Sequence, residues 1–210
     1  MENFKSIIFF IILLFCLQSF SYVPEEGRVS ATFGPYWNRT NFEGSSTVDK
    51  PGYLTGMELV AVGDISDHGS LEIAMIYTPQ IFFNDVDGKF LAEKIQTIHI
   101  TMGYRWWHTP YISTSLALYS AYPMGVLEIV HNDNGVSQTL DTSARDKTEY
   151  GFDWAIQGEI WNQGLYAVVL EGRYSYSLTH KKDEHADQFG AMLGIRYIIQ
   201  EEKKIETKKD

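Results

Sequence analysis

From residue 28 to residue 199 apolar side chains recur at every second position, in some eight segments, and the ionisable residues fall on the opposite beat. The apolar parity runs through Val29, Ala31 and Phe33, then Met57, Leu59 and Ala61, then Leu71, Ile73, Met75 and Tyr77. It continues through Ile98, Ile100, Met102, Tyr104 and Trp106, and through Ile112, Leu116 and Leu118. Phe152, Trp154, Ile156 and Ile160 follow, then Tyr166, Val168, Leu170, Tyr174 and Tyr176, and last Phe189, Leu193, Ile195 and Tyr197. The other parity holds Arg28, Glu58, Glu72, His99, Arg105, Asp153, Glu159, Glu171, Arg173 and Arg196. Successive strand residues point to opposite faces. One face is therefore uncharged and fit for lipid, and the other is wet or salt-bridged, the pattern of a transmembrane β-barrel.

The connections between segments alternate in length. Short ones lie at 63–69, 108–110 and 162–164, and long ones at 38–52, 79–94, 123–149 and 179–187. Outer-membrane barrels have short periplasmic turns and longer outer loops. The interleaving predicts an all-β, eight-stranded antiparallel up-and-down transmembrane barrel over 22–199, with both termini periplasmic. Each short connection has an odd number of residues, so the strands that flank it should share inward parity, and they do. In the third long loop, Asp133-Asn134-Gly135 separates the apolar runs 126–131 and 136–140 and predicts a projecting hairpin.

The ends of the chain add a compartment. Lys5, an apolar run over 7–17 and Ser19-Phe20-Ser21 read as a signal peptide over 1–21, cleaved after Ser21. Cleavage removes Cys16, the only cysteine of the 210 residues, so no disulfide is expected. A net charge of -10 argues against a nucleic-acid partner. The stretch 200–210 has balanced charges and no apolar period, and reads as a periplasmic tail.

With leader, strands and loop asymmetry in place, the chain resembles the small outer-membrane β-barrel proteins of the OmpA/OmpX type. The resemblance covers roughly 28–199. The last segment, Gln188-Phe189-Gly190-Ala191-Met192-Leu193-Gly194-Ile195, looks like a barrel-assembly signal, and Tyr53, Tyr77, Tyr104, Trp106, Tyr150, Tyr166, Tyr176 and Tyr197 fit aromatic girdles near strand ends. Many such barrels end on an aromatic residue, whereas this chain runs on through its charged tail. The resemblance implies the outer membrane of a Gram-negative-type bacterium, with membrane lipids and the barrel-assembly machinery as partners.

Candidate chemistry is sparse. An eight-stranded barrel is only wide enough for side chains to fill it. The ten inward ionisable residues therefore predict a salt-bridged, closed lumen, with Asp153 directly opposite Arg173 and with Arg196 within reach of Glu171. No catalytic residue, cofactor or metal is expected. His99 and Thr101 do not make a His-Ser pair facing lipid, as a lipid A deacylase needs. Asn84-Asp85-Val86-Asp87-Gly88 lacks the remaining ligands of a calcium loop. His180 and His185 bracket a loop tip that reads as solvated rather than as a zinc site. The leading reading is a non-enzymatic barrel that presents surface loops or stabilises the envelope. A narrow channel, a lipid-modifying enzyme and a soluble lipocalin-type barrel are the alternatives.

Overall fold

The computed structural model describes residues 22–41, 52–86, 89–133, 141–145 and 148–199. Eight long antiparallel strands form a ring: β1 (Val29–Thr40), β2 (Leu54–Asp64), β3 (Gly69–Val86), β4 (Lys89–Trp107), β5 (Ile112–Asn132), β6 (Glu149–Gln163), β7 (Tyr166–Ser177) and β9 (Gln188–Ile199). A two-residue strand between the last two, β8 (Glu184–His185), pairs with β3 at Phe83 and Asn84, outside the ring. β1 pairs with both β2 and β9, which closes the sheet into an all-β up-and-down barrel.

The alternation read from the sequence is the alternation of the wall. Every apolar position singled out above is exposed or half-exposed on the outside. Leu118, Trp154 and Ile195 each leave more than half of their surface uncovered. A continuous apolar girdle of this kind is costly in water and suits hydrocarbon. Aromatic rings rim it. Trp106, Trp161, Tyr166 and Tyr197 are exposed or half-exposed near the turn end, and Tyr77, Tyr122, Tyr150 and Tyr176 near the loop end.

All three tight connections lie at one end, over 65–68, 108–111 and 164–165, and Val29 and Ile199, the outer limits of the ring, pair there. At the other end the structure departs from expectation. The expected loop 79–94 is mostly strand: the β3–β4 ladder continues to Val86 and Lys89. The first ten residues of the expected loop 123–149 are also strand, paired with β4 up to Asn132. The run 126–131 thus extends β5 rather than opening a separate hairpin. Residues 134–140, which would complete that hairpin, lie outside the described residues, as do 1–21, 87–88 and 200–210.

Pro79 and Pro123 are the first residues of those two expected loops, and both lie within strands. Pro79 lies past Tyr77, the last β3 residue paired with β2, and Pro123 lies past Ala121, the last β5 residue paired with β6. Each proline sits where its strand has become a sheet edge, the position a sheet tolerates. β3, β4 and β5 consequently reach 18, 19 and 21 residues, against 11 or 12 in β1, β2, β7 and β9.

The β6–β7 hairpin also differs. Its turn is the pair Gly164-Leu165, not a three-residue loop at 162–164. Gly164 carries a φ of +65°, and no other residue of the turn is positive, as a two-residue II′ turn requires. A bulge then inserts Ile160 between Glu159, which opposes Val169, and Trp161, which opposes Val168. Ile160 and Trp161 both face outward, and the inward parity resumes at buried Asn162.

Candidate functional site

The lumen has two unlike walls. Tyr36, Val60, Val62, Ala74, Ile76, Ala167, Val169 and Met192 form an apolar cluster from β1, β2, β3, β7 and β9. The β4–β7 side supplies most of the charge. Short inward side chains such as Ala74, Ala155 and Ala167 leave the width that the long charged ones cross.

Two arginines occupy the centre. Arg173 Nη1 donates to Asp153 Oδ2 at 3.0 Å, and its Nη2 donates to Glu58 Oε1 at 2.8 Å and to Glu171 Oε1 at 2.5 Å. Arg105 Nε donates to Glu72 Oε2 at 2.5 Å, Nη1 to Ser113 Oγ at 2.8 Å and Nη2 to Glu171 Oε2 at 2.8 Å. Glu171 thus joins the two guanidiniums. β2 and β7, and likewise β4 and β7, are three places apart round the ring, so the Glu58–Arg173 and Arg105–Glu171 bonds cross the lumen rather than follow the wall. Both arginine side chains are fully buried. Buried ions are tolerated only when paired and hydrogen-bonded, and here each arginine meets at least two carboxylates.

Towards the loop end, His99 Nε2 lies 2.9 Å from Asp153 Oδ2, and the imidazole stacks on Tyr119 with ring centroids 4.1 Å apart. The Tyr119 hydroxyl donates to Glu149 Oε1 at 2.9 Å, and Gln80 Nε2 donates to Glu149 Oε2 at 3.1 Å.

At the turn end the chain closes its own floor. Tyr22 is buried, its hydroxyl donates to Asp64 Oδ2 at 2.6 Å, and its ring lies 4.5 Å from that of Trp107. The Arg196 guanidinium sits 4.1 Å over the Tyr22 ring and donates to Glu159. Ser70 Oγ donates to Asp64 Oδ1 at 2.6 Å and accepts from Trp107 Nε1 at 2.9 Å. The Gly27 amide donates to the Asp64 carbonyl at 2.9 Å, which holds the segment before β1 across the mouth.

Two expectations are corrected. Arg28 is not in the lumen. It precedes β1, is partly exposed, and pairs with Glu25 at 2.5 Å while donating to the Val23 carbonyl. Strand alternation does not govern a residue at the bend where the floor segment enters the wall. Arg196 does not reach Glu171. It opposes Ala167 on β7, four residues nearer the turn end than Glu171, and takes Glu159 instead. The other eight expected residues, with Arg196, line the lumen; Tyr22, Asp64, Tyr119 and Glu149 were missed. Tyr22 and Asp64 lie outside the alternating segments or at a strand end, and Glu149 begins β6 in what read as loop.

Beyond the girdle the tall strands carry a folded cap. Glu93, fully buried, accepts from Thr142 Oγ1 at 2.5 Å and from Arg145 Nε at 3.0 Å. Glu184 accepts the Ser143 and Lys181 amides, each at 2.7 Å, and the Lys181 ammonium pairs with Asp141 at 2.5 Å. Phe82, Ile95, Ala144 and Ala186 pack together beneath these bonds. His185 lies in β8, whereas His180 Nδ1 is 2.8 Å from the Ser177 carbonyl oxygen. Among the described residues no group of three or more His, Cys, Asp or Glu is placed to hold a metal ion. The Thr101 hydroxyl accepts the Ala74 amide at 3.2 Å inside the barrel, beside His99 but turned to the wall.

No protein-family model matches the sequence, and no curated protein matches it. Solved structures do. The outer membrane protein OprG from Pseudomonas aeruginosa aligns over 86% of this chain and 99% of its own, with 10% identity and a TM-score of 0.60. This chain has the fold of the small eight-stranded outer-membrane β-barrel proteins. Ail, the attachment invasion locus protein of Yersinia pestis, aligns over 83% of this chain and 100% of its own, with 14% identity and a TM-score of 0.50. The outer membrane protein AlkL, solved in lipid bilayers, aligns over 90% of this chain and 97% of its own at 10% identity, with a TM-score of 0.41 too low to carry weight. At these identities the likeness is one of architecture. What this barrel does must come from its own lumen and cap.

Proposed function

We propose that the chain is a non-enzymatic barrel of the outer membrane, closed to ions, that holds its folded cap at the cell surface. The crossed Arg105–Glu171 and Arg173–Glu58 bonds carry this reading. They fill the central section with side chains that cannot leave without exposing a buried charge. The closed section makes the barrel a stiff mount for β3, β4 and β5, whose outer ends are tied to segments 141–145 and 181–186. Loop asymmetry supports an orientation with the turn end and both termini in the periplasm. Residues 1–21 would be the export signal, and 200–210 a periplasmic tail. Membrane lipids and the assembly machinery are the expected partners.

Planar bilayers test closure: purified protein should show no conductance steps, and steady steps would favour the channel reading. Unaltered lipid A mass on expression in a host lacking the gene speaks against a lipid-modifying enzyme. An epitope tag at Asn134 should be reached by antibody on intact cells, and a tag after Asp210 only after permeabilisation. The reverse labelling would invert the orientation.

A further inference from the structure

The outer wall carries a groove of about 1010 Å³, at the upper end of the roughly 300–1,000 Å³ common for small-molecule sites. It starts at the 108–111 turn beside Tyr111 and climbs obliquely across β6, β7 and β9. Gly158, Gly172 and Ala191 form its floor, with Ile156 and Leu170 standing on either side. The register aligns them: Ile156 opposes Gly172, Gly158 opposes Leu170, and Gly172 opposes Ala191. All five are outward positions of the apolar girdle.

No close contact of the wall calls for glycine at 158 or 172. At Gly34 or Gly151 an added Cβ would meet a backbone oxygen at 2.2 or 2.0 Å, so close packing of the wall accounts for them. A Cβ on Gly158 would meet nothing within 4 Å, and one on Gly172 only Ile156 Cγ2 at 3.8 Å. Neither has a positive φ. Glycine weakens a strand, and within a strand it often marks a bulge, a tight bend or a place where a ligand or another backbone comes close. The Ile160 bulge is two residues from Gly158, whereas Gly172 has no bulge beside it.

We infer that this groove seats one acyl chain of a phospholipid from the turn-side leaflet, with the headgroup at the Tyr111 foot. The inference rests on the membrane-barrel reading above. Continuity with the girdle argues for a lipid: the groove is cut into the face already surrounded by hydrocarbon. A second copy fits less well. A two-fold contact would lay the same concave patch against itself and leave a void between Ile156 and Leu170 of each partner. A flexible chain can follow the oblique floor across the two inter-strand spacings from β6 to β9, about 10 Å in all.

The test uses the full mature chain in detergent, titrated with dioleoyl phosphatidylethanolamine and followed by native mass spectrometry. The wild type should retain one lipid. Gly172→Leu should weaken that binding about tenfold by filling the floor. Ala61→Leu, which adds one carbon fewer at an outward position of β2, should leave it unchanged. Heat-modifiable gel migration reports folding, and Gly158→Val replaces Gly172→Leu if the latter does not fold. Equal retention by wild type, groove variant and Ala61→Leu would overturn the inference. So would a wild-type dimer that Gly172→Leu dissociates. A chain that stays in solution without detergent would instead overturn the membrane reading beneath it.

Discussion

Arg173 and Asp153 are bonded without being opposed. Arg173 faces Ala155 across the β6–β7 ladder and Asp153 faces Ser175, yet Arg173 Nη1 reaches Asp153 Oδ2 at 3.0 Å. The expected register placed them directly opposite. The two-residue turn and the Ile160 bulge together move it by an even number of residues, so both side chains keep their inward face, and arginine is long enough for the diagonal. Arg173 also bonds Glu58 across the lumen and Glu171 two positions away on its own strand.

Removing that guanidinium therefore strands Glu58 and takes one partner each from Asp153 and Glu171, which keep His99 and Arg105. Arg173→Ala should cost about 3–5 kcal/mol, read as a lower urea midpoint of the folded barrel in detergent. Adding Glu58→Gln should restore part of the loss, because the stranded charge goes with it. An unchanged midpoint for Arg173→Ala would mean that the central network does not hold the barrel together.

The outward parity makes a second, opposite demand. Leu118 stands near the middle of the apolar column of β5, exposed on the outside, with buried Ala117 beside it. Leu118→Arg should lose about 2–4 kcal/mol of stability in bilayers, and Leu118→Met should lose almost none. Refolding yield and urea midpoint in lipid vesicles give both values. Equal tolerance of the two substitutions would remove the assignment of this face to lipid.

The floor and the centre are seals in series. Tyr22→Ala should cost about 3 kcal/mol through lost packing on Trp107 and Arg196. Tyr22→Phe, which keeps the ring and loses only the bond to Asp64, should cost less. Neither should conduct, since the arginine network still crosses the lumen behind the floor. Current through Tyr22→Ala in a planar bilayer would show that the N-terminal segment is the sole barrier.

At the tip of β5, Asp133 lies outside the girdle. Its carboxyl is held below the ordinary aspartate value, first by the Phe90 amide that it accepts at 3.1 Å and then by His131 at 2.7 Å. A folded value below the unfolded one means that the contact contributes at higher pH and is lost as pH falls through the folded value. The window is therefore acidic, below the titration of a free aspartate. Carbon-detected NMR of the Asp133 carboxyl should show a midpoint lower than in an unfolded peptide, and Asp133→Asn should abolish the acid-dependent loss of Phe90 amide protection. A midpoint at or above the peptide's would refute it.

Much of the architecture was legible in the chain because a barrel wall obeys a local rule. Leu170 and Glu171 differ in face because they are neighbours on a strand, and nothing distant has to be known to say so. Leu71, Ile100 and Ile195 follow from the same rule. The reading failed where the rule stops. Arg28 sits before β1 begins. Pro79 and Pro123 look like strand breakers until their missing neighbours on β2 and β6 are seen. Tyr22 carries no periodic signal, and only the meeting of Asp64, Trp107 and Arg196 gives it a place.

Periodicity, charge and loop length by themselves determined the alternation of the wall, which face is apolar and, Arg28 apart, that the charges inside the alternating segments turn inward. These depend on residues one or two positions apart, and backbone geometry converts that spacing directly into direction. Only the tertiary structure decided which inward charge meets which. Partners such as Glu58 and Arg173 are 115 positions apart and face each other across the lumen, so their meeting depends on the register of every ladder between them. One bulge or one shortened turn resets that register while leaving the alternation on each side of it intact.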